Sequence, residues 1–345
     1  MLSIRGIRMA SSASVVAGVG SHLPPRVIRN DDPALANLGS SDEWIRSRTG
    51  IGCRRWAEPG TSTGDLAVEA GRAALQSAGD PVVDLVVLTT TTPDHHSPAT
   101  APWVAAQLGL GTLPAFDVAA ACSGFTYGLA VGDAWIRSGQ AECVLVLAAE
   151  TLSTITDPSD RGTAVVFADG AGAVVLRGGE LDEPGAVQAT CLGSDGTQKD
   201  LAVVEAGGSR RPDPGALASV ADRCLRMQGP QMFAHAVRRM TEVSRELLER
   251  AGWPVDSVGA FIGHQANQRI LDKVADLVGV PDASRFGNIH RVGNTSSASI
   301  PLVMDDLVKA RAVAPGTRTL LTAFGGGAVW GAVALSWPDL KPARR

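Results

Sequence analysis

The feature that most constrains the fold of this chain of 345 residues is an internal repeat. In the first half, a helical pattern over residues 65–79 is followed by an apolar strand pattern over 82–90. In the second half, a helical pattern over 234–252 is followed by a strand pattern over 258–263. Both helices end in Ala-Gly, a common helix stop, and both strands have the apolar runs expected of strands that are buried on two faces.

The repeat continues beyond these elements. From Gly79 to Cys122 is 43 residues, and from Gly252 to Asn294 is 42. A helix-like stretch, a strand and a small-residue segment with a further strand follow each of the two positions. The chain therefore reads as two β-α-β-α-β-β halves of α/β class, which together predict the five-layer α-β-α-β-α thiolase fold and place Cys122 and Asn294 at equivalent helix starts. The alternative is a pair of α/β domains that share only generic periodicity.

We expect a loose tail over residues 1–14 rather than a signal peptide, an N-terminal half over 15–180 and a C-terminal half over 181–345. Hydrophobic residues make up 45% of the chain and charged residues 19%, which is typical of a globular protein. The net charge of −4, without a basic block, argues against a nucleic-acid partner. No apolar run reaches the roughly 18 to 20 residues that a membrane helix needs.

The cysteines and histidines offer no metal site by their spacing. Five scattered cysteines without a CxxC pair argue against zinc or a disulfide framework and favour a reducing cytoplasm. His95 and His96 could form a metal pair, but no further ligand spacing accompanies them, and a solvated loop is the favoured interpretation. We therefore predict no metal.

Cys122 is a candidate nucleophile because three alanines precede it and a helical pattern follows it. A free thiol has a pKa near 8.5, and a helix dipole lowers it by about one unit or less. A neighbouring histidine is therefore needed to activate the thiol at neutral pH. His264 is best placed, because it directly follows a buried strand. Each residue also has a simpler interpretation: Cys122 as a small buried hydrophobe, Asn294 as a helix N-cap, and the glycine run 325–327 as a bend rather than an oxyanion donor.

Taken together, these motifs resemble the β-ketoacyl-acyl carrier protein synthase III family. Cys122 lies in Ala-Ala-Ala-Cys-Ser-Gly-Phe, His264 in His-Gln-Ala-Asn, and Asn294 in Gly-Asn-Thr-Ser, which look like the Cys-His-Asn triad of that family. The resemblance runs from about Val15 to Trp337.

The resemblance implies a decarboxylative Claisen condensation in two stages. Cys122 would take the acyl group of an acyl-coenzyme A starter, with the backbone N–H groups of Cys122 and Gly326 holding the oxyanion. His264 and Asn294 would then donate hydrogen bonds to the thioester carbonyl of malonyl-acyl carrier protein as carbon dioxide leaves. The resulting carbanion would attack the acyl-cysteine and start a fatty-acid or polyketide chain.

The resemblance also implies a binding site for coenzyme A, which is a substrate here rather than a permanent cofactor. Trp44 and Arg161 look like the pair that sandwiches its adenine, although core packing is an alternative role for Trp44. Further expected contacts with coenzyme A are Arg48, Gly229, Phe233, Ala266 and Asn267. Arg269 is expected to contact the acidic carrier protein, and a homodimer is expected.

The starter is left open by one departure from the family. Where the bacterial fatty-acid type has a bulky aromatic before a proline, this chain has Ser97-Pro98. A wider pocket could take longer, branched or polar starters, and a polyketide-priming synthase is one interpretation. An acyltransferase of the same fold, passing the acyl group to a hydroxyl or amine without forming a C–C bond, stays open. A non-catalytic scaffold is a third class, which the intact triad disfavours.

Overall fold

The computed structural model describes residues 11–212 and 219–340, and within them the chain forms two main sheets interleaved with helices and two small two-stranded sheets. The strands are β1 (Ala13–His22), β2 (Val27–Arg29), β3 (Cys53–Arg55), β4 (Leu85–Thr89), β5 (Ala115–Val118), β6 (Cys143–Thr151), β7 (Asp169–Gly179), β8 (Val187–Ser194), β9 (Ala202–Val204), β10 (Leu225–Met227), β11 (Ala260–Gly263), β12 (Arg318–Gly325) and β13 (Val329–Ser336). The helices are α1 (Asp42–Thr49), α2 (Thr63–Ser77), α3 (Ala101–Gln107), α4 (Gly124–Arg137), α5 (Arg161–Ala164), α6 (Gly229–Ala251), α7 (Gln268–Val278), α8 (Ile289–Val292) and α9 (Ser299–Ala310).

The two main sheets repeat one another in strand order. The first runs β1-β7-β6-β4-β5 and the second β8-β13-β12-β11. In each, the two outer pairs at the β1 or β8 end are antiparallel and the β6–β4 or β12–β11 pair is parallel. Leu85 corresponds to Ala260 and Cys143 to Arg318, a displacement of 175 residues in both cases. A single parallel bridge between Phe261 and Arg285 takes the place of a fifth strand in the second sheet.

The helices form three layers around these sheets. Helices α4 and α9 lie between them, and side chains such as Phe125 and Met304 pack there with residues of both sheets. Helices α2 and α3 cover the outer face of the first sheet, and α6 and α7 cover the outer face of the second. This order confirms the five-layer α-β-α-β-α arrangement predicted from the sequence.

Glycines let α4 approach the first sheet closely. Gly124, Gly128 and Gly132 recur every four residues and therefore share one helix face. A Cβ atom at these positions would come within 2.9, 2.9 and 2.8 Å of side chains of the first sheet. The close packing fixes the start of α4, and with it the preceding Cys122, against that sheet.

Three details of the sequence prediction are corrected. Strand β1 begins at Ala13, so the last two residues of the predicted tail belong to the first sheet; residues 1–10 of that tail lie outside the described residues. Helix α6 begins at Gly229 rather than 234, because the proline in its first turn needs no N–H partner there.

The third correction concerns the equivalence of Cys122 and Asn294. A short 3₁₀ turn precedes each central helix, Ala121–Ser123 before α4 and Ser296–Ala298 before α9, and Ala121 and Ser296 both have positive φ. Cys122 therefore corresponds to Ser297, and Asn294 lies three residues earlier. Its backbone is paired with Val166 and Ala168 in a bridge, which keeps it outside the helix.

Candidate active site

The three residues of the predicted triad line one cavity of about 630 Å³. Cys122 reaches it from the turn before α4, His264 from the end of β11, and Asn294 from the loop before α9. His264 and Asn294 are buried, with 2% and 4% of their surface exposed, while Cys122 is partly exposed. Three distant segments of the chain thus meet because the two central helices start side by side.

The side chain of Asn294 is fixed with its amide nitrogen free to face a ligand. Its Oδ1 accepts a hydrogen bond of 2.8 Å from the backbone N–H of Ser296. Because a backbone N–H can bond only to the oxygen of the side-chain amide, this contact assigns the oxygen and nitrogen positions. The –NH₂ group is the end left to donate into the cavity.

His264 is held through its Nδ1 atom, which lies 2.7 Å from the Oγ atom of Ser299. The same Oγ accepts a bond of 3.3 Å from the backbone N–H of Gln265, so its own hydrogen is available for Nδ1. With Nδ1 accepting, the proton of the neutral ring resides on Nε2. Burial lowers the pKa of His264 to about 3, so the ring is a neutral donor.

Cys122 is a neutral thiol at rest. Burial raises its pKa to about 12, partly offset by the Ser296 hydroxyl. The backbone of Cys122 is also tightly packed: a Cβ atom on Gly325 would lie 2.6 Å from its nitrogen, which explains a glycine at that place. The low thiol pKa that a helix start alone would favour is therefore outweighed by desolvation.

The predicted coenzyme A contacts line the same cavity as the triad. They are Trp44, Arg48, Arg161, Gly229, Phe233, Ala266 and Asn267. Arg269, the expected carrier-protein contact, lines this cavity too. Asn267 caps α7 by accepting from the Arg269 N–H, and its amide donates to the carbonyl of Arg48 at 2.9 Å, so it joins α7 to the end of α1.

Trp44 and Arg161, the residues expected to sandwich the adenine, are in direct contact with each other in this structure. The Arg161 guanidinium lies 4.6 Å from the centroid of the Trp44 ring, directly over its face. That spacing leaves no room for a base between them, so a planar ligand would have to displace the guanidinium. A second such contact holds Arg269 over the ring of Phe233 at 5.6 Å.

Gly326 lies on a second, larger cavity of about 1400 Å³, which also borders Ala121. The walls of this cavity carry hydroxyl groups, including those of Thr63, Thr90 and Thr92. The loop over 95–97, whose sequence differs from the family pattern, lies at the rim of this cavity, and His95, His96 and Ser97 are exposed there. Among residues 11–212 and 219–340, no cluster of three or more His, Cys, Asp or Glu side chains could hold a metal ion.

Sequence reasoning missed two buried residues at this site, Ser299 and Glu150. Ser299 belongs to a run of hydroxyl residues after Asn294, and Glu150 is the one charged residue in the apolar strand β6. Both signals were visible in the sequence. A carboxylate is almost never fully buried without partners, so Glu150 could have been singled out by its place in that strand.

Two sheets around a central helical layer, with cysteine, histidine and asparagine on one cavity, define a thiolase-fold transferase. The chain belongs to the 3-oxoacyl-[acyl-carrier-protein] synthase III family. Residues 116–196 match the family model described as 3-oxoacyl-[acyl-carrier-protein (ACP)] synthase III, and residues 248–337 match the model of its C-terminal part.

Relatives of known name and structure agree over nearly the whole length. β-Ketoacyl-[acyl-carrier-protein] synthase III 5 of Streptomyces coelicolor is 54% identical over 330 residues, which cover 96% of this chain and 99% of that protein. The crystal structure of 3-oxoacyl-(acyl carrier protein) synthase III from Pseudomonas aeruginosa PAO1 has a TM-score of 0.89 and 44% identity, covering 96% of this chain and 100% of that one. The priming β-ketosynthase of the R1128 polyketide biosynthetic pathway has a TM-score of 0.89 and 36% identity, covering 97% and 99%. These matches confirm the predicted family and fold.

Proposed function

We propose that this protein condenses an acyl-coenzyme A starter with malonyl-acyl carrier protein, losing carbon dioxide and initiating a fatty-acid or polyketide chain. The observation that carries this proposal is the single cavity lined by Cys122, His264 and Asn294 together with the expected coenzyme A contacts. Membership in the synthase III family supports the same reaction.

In the first stage Cys122 attacks the starter thioester and coenzyme A leaves. The amide of Cys122 lies at the start of a helical turn, where backbone N–H groups have no partner within the helix. Such a group is suited to hold the oxyanion of the tetrahedral intermediate, with the N–H of Gly326 as the second donor. The reaction leaves the acyl group on Sγ of Cys122.

In the second stage two neutral donors stabilise the enolate formed from the malonyl group. The Nε2–H of His264 and the –NH₂ of Asn294 are the two donors that their hydrogen bonds to Ser299 and Ser296 leave free. Both residues are buried, and donors in a dry site stabilise developing charge more strongly than they do in water. The carbanion attacks the acyl-cysteine, and the product leaves on the carrier protein.

Coenzyme A enters past Trp44 and Arg161, which part to admit the adenine. Arg48 and Arg269, both exposed at the cavity, suit the phosphates of the ligand and an acidic carrier protein. The chemistry uses only the chain and its two thioester substrates, so it requires no permanent cofactor. The dispersed free cysteines favour a reducing cytoplasm. Within the described residues no helix is long and apolar enough to cross a bilayer.

The second cavity is the proposed place of the starter chain. It borders Ala121 beside the nucleophile and is larger than the coenzyme A cavity, and Ser97 stands at its rim in place of an aromatic ring. Longer, branched or polar acyl groups are therefore favoured over acetyl. We propose a homodimer from the family resemblance; strand β5, at the edge of the first sheet, has only partly buried residues and is available to a second copy.

Radiolabelled acetyl-, butyryl-, isobutyryl- and octanoyl-coenzyme A test the proposal. The wild type should acquire label that survives denaturation, and Cys122→Ala should acquire none; label on that variant would refute the assignment of the nucleophile. Mass spectrometry after addition of malonyl-carrier protein should then show a 3-oxoacyl product. Acyl transfer to a hydroxyl or amine acceptor without carbon dioxide release would favour the acyltransferase instead.

A further inference from the structure

The larger cavity, the proposed place of the starter chain, has a polar wall. Four of the side chains that line it are threonines with at most 7% of their surface exposed: Thr63, Thr90, Thr92 and Thr151. Buried hydroxyl groups need hydrogen-bond partners, and each carries one hydrogen and two lone pairs. The direction in which each hydrogen points therefore decides what the wall can offer to an acyl group.

The hydrogen bonds of this wall end on the carboxylate of Glu150, which has no exposed surface. Its Oε1 accepts from the hydroxyl of Ser297 at 2.7 Å, and its Oε2 accepts from the N–H of Thr91 at 2.9 Å. Oε2 also accepts longer bonds from the hydroxyls of Thr92 at 3.3 Å and Thr90 at 3.4 Å. An ionised carboxyl group can only accept hydrogen bonds, so the hydrogens of both threonine hydroxyls are committed to it.

The other two buried hydroxyls extend a chain that runs toward Glu150. The Oγ1 atoms of Thr63 and Thr92 are 3.0 Å apart, and those of Thr63 and Thr151 are 2.8 Å apart. Because the hydrogen of Thr92 points to Glu150, Thr63 donates to Thr92, and Thr151 in turn donates to Thr63. Thr92 also accepts from the N–H of Thr151 at 2.9 Å, so only Thr63 and Thr151 keep open lone pairs in this chain. The chain can accept further hydrogen bonds but has no hydrogen left to donate.

Two carboxylates add negative charge to the same wall. Asp94 and Asp117 line the cavity, and each is held by bonds of 2.8 to 2.9 Å from backbone N–H groups. Among the described residues that line the cavity, none is lysine or arginine, and His95 and His96 lie exposed at its rim. An acyl group that carries a carboxylate would meet like charge there without a cation to compensate it.

We propose that the starter acyl group taken by this cavity carries a hydroxyl, and that the cavity excludes acyl groups that end in a carboxylate. The hydroxyl of the starter donates to an open lone pair of Thr63 or Thr151, which a methyl group or a fluorine atom cannot do. This inference rests on the proposed function and names the class of substrate for its first stage.

Single-turnover labelling of Cys122 tests the inference with coenzyme A thioesters that differ only in the end group of the acyl chain. The six-carbon set is hexanoyl, 6-hydroxyhexanoyl, 6-fluorohexanoyl and adipoyl, and an eight-carbon set with the same end groups extends the reach. Fluorine is close to a hydroxyl in size but has no hydrogen to donate. In at least one set the hydroxyl compound should label about tenfold faster than the methyl and fluoro compounds. The carboxylates should label about 100-fold more slowly than the methyl compounds, or less than that.

Thr63→Val tests the direction of the hydroxyl chain. The substitution keeps the shape of the side chain, removes one open acceptor and frees the hydrogen of Thr151 to point elsewhere. The ratio of hydroxyl to fluoro labelling rates should fall to about twofold or less. Thr156→Val is the matched control, because Thr156 is also buried and donates to the carbonyl of Leu152 at 2.7 Å but does not line the cavity. It should leave this ratio unchanged.

Asp94→Asn tests the exclusion of carboxylates. Asparagine keeps the oxygen that accepts from the N–H of Gly64 at 2.9 Å and removes the charge. The ratio of adipoyl to hexanoyl labelling rates should rise about tenfold or more. Asp256→Asn makes the same change of charge at an exposed position outside the cavity and should leave the ratio unchanged.

Four results would overturn the inference and leave the proposed function standing. The fluoro compounds could label as fast as the hydroxyl compounds in both sets, or the carboxylates as fast as the methyl compounds. A control variant could shift its ratio as far as the variant it matches, or acetyl-coenzyme A could label Cys122 while no six- or eight-carbon thioester does. If neither acetyl-coenzyme A nor any of these thioesters labels Cys122, the proposed function fails and the inference fails with it.

Discussion

Ser299→Ala tests the assignment of His264 as a neutral donor. The Ser299 hydroxyl makes two buried contacts, one with Nδ1 of His264 at 2.7 Å and one with the N–H of Gln265 at 3.3 Å. The substitution leaves two buried polar groups without this partner, and each such loss costs about 1 to 3 kcal/mol. The imidazole can then rotate or carry its proton on Nδ1, where it faces away from the substrate.

The catalytic effect follows from the same energy. The lost hydrogen bonds contribute about 1 to 3 kcal/mol to holding the His264 ring in its donating orientation. Because 1.4 kcal/mol corresponds to a factor of ten, the decarboxylation rate should fall about 5- to 150-fold. Labelling by acyl-coenzyme A should fall less than about threefold, because in the proposed mechanism His264 acts only in the second stage. The assay measures carbon dioxide release and single-turnover labelling on the same preparation.

Ser244→Ala is a suitable control for the loss of a buried hydroxyl. Ser244 in α6 has no exposed surface, and its Oγ has no hydrogen-bond partner within residues 11–212 and 219–340. Its removal should change neither rate. Equal losses of decarboxylation and labelling in Ser299→Ala, or no loss in either, would refute the reasoning.

Three further predictions follow from the same geometry. Asn294→Ala should lower carbon dioxide release about 100- to 1,000-fold, as removal of an oxyanion donor does, while labelling persists; loss of both would contradict the role. Trp44→Ala should raise the KM for acyl-coenzyme A about 5- to 100-fold at constant kcat, since base stacking contributes about 1 to 3 kcal/mol. The control is Trp103→Ala, which should leave this KM unchanged because Trp103 is exposed and lies outside the cavity. Because the folded-state pKa of His264 is about 3 and its ordinary value 6.5, stability is lost as the pH falls from about 6.5 toward 3. Between pH 7 and 5, the free energy of unfolding measured with urea should fall by about 2 kcal/mol less in His264→Gln than in the wild type. Identical decreases in the two proteins would argue against a buried neutral ring.

The fold was predictable because its signals are local and repeated. The helix predicted over 65–79 is α2 over Thr63–Ser77, where Ser62 and Asp65 form a capping box. The strand predicted over 258–263 is β11 over Ala260–Gly263. Hydrophobic runs and helix stops depend on neighbouring residues, so one sequence suffices to find them.

The hydrogen bonds at the site depend on contacts between distant segments. Ser299 and His264 are 35 residues apart, and Ser297 and Glu150 are 147 apart. Nothing in the local pattern around Ser299 shows which ring atom it contacts. The mistaken pairing of Cys122 with Asn294 has the same origin, because the bridge that holds Asn294 extended comes from residues 166–168.

The two halves differ in a way that explains why the proposed acyl site lies at Cys122 and not also at Ser297. Cys122 corresponds to Ser297, and by the same displacement of 175 residues Gly325 corresponds to Glu150. At the start of α4, Gly325 packs against the backbone of Cys122 and leaves the Cys122 N–H without a side-chain acceptor from strand β12. At the start of α9, the carboxylate of Glu150 accepts hydrogen bonds from the hydroxyl and the N–H of Ser297. A helix start already occupied by a carboxylate cannot stabilise a substrate oxyanion, so the second half offers no site equivalent to the one at Cys122.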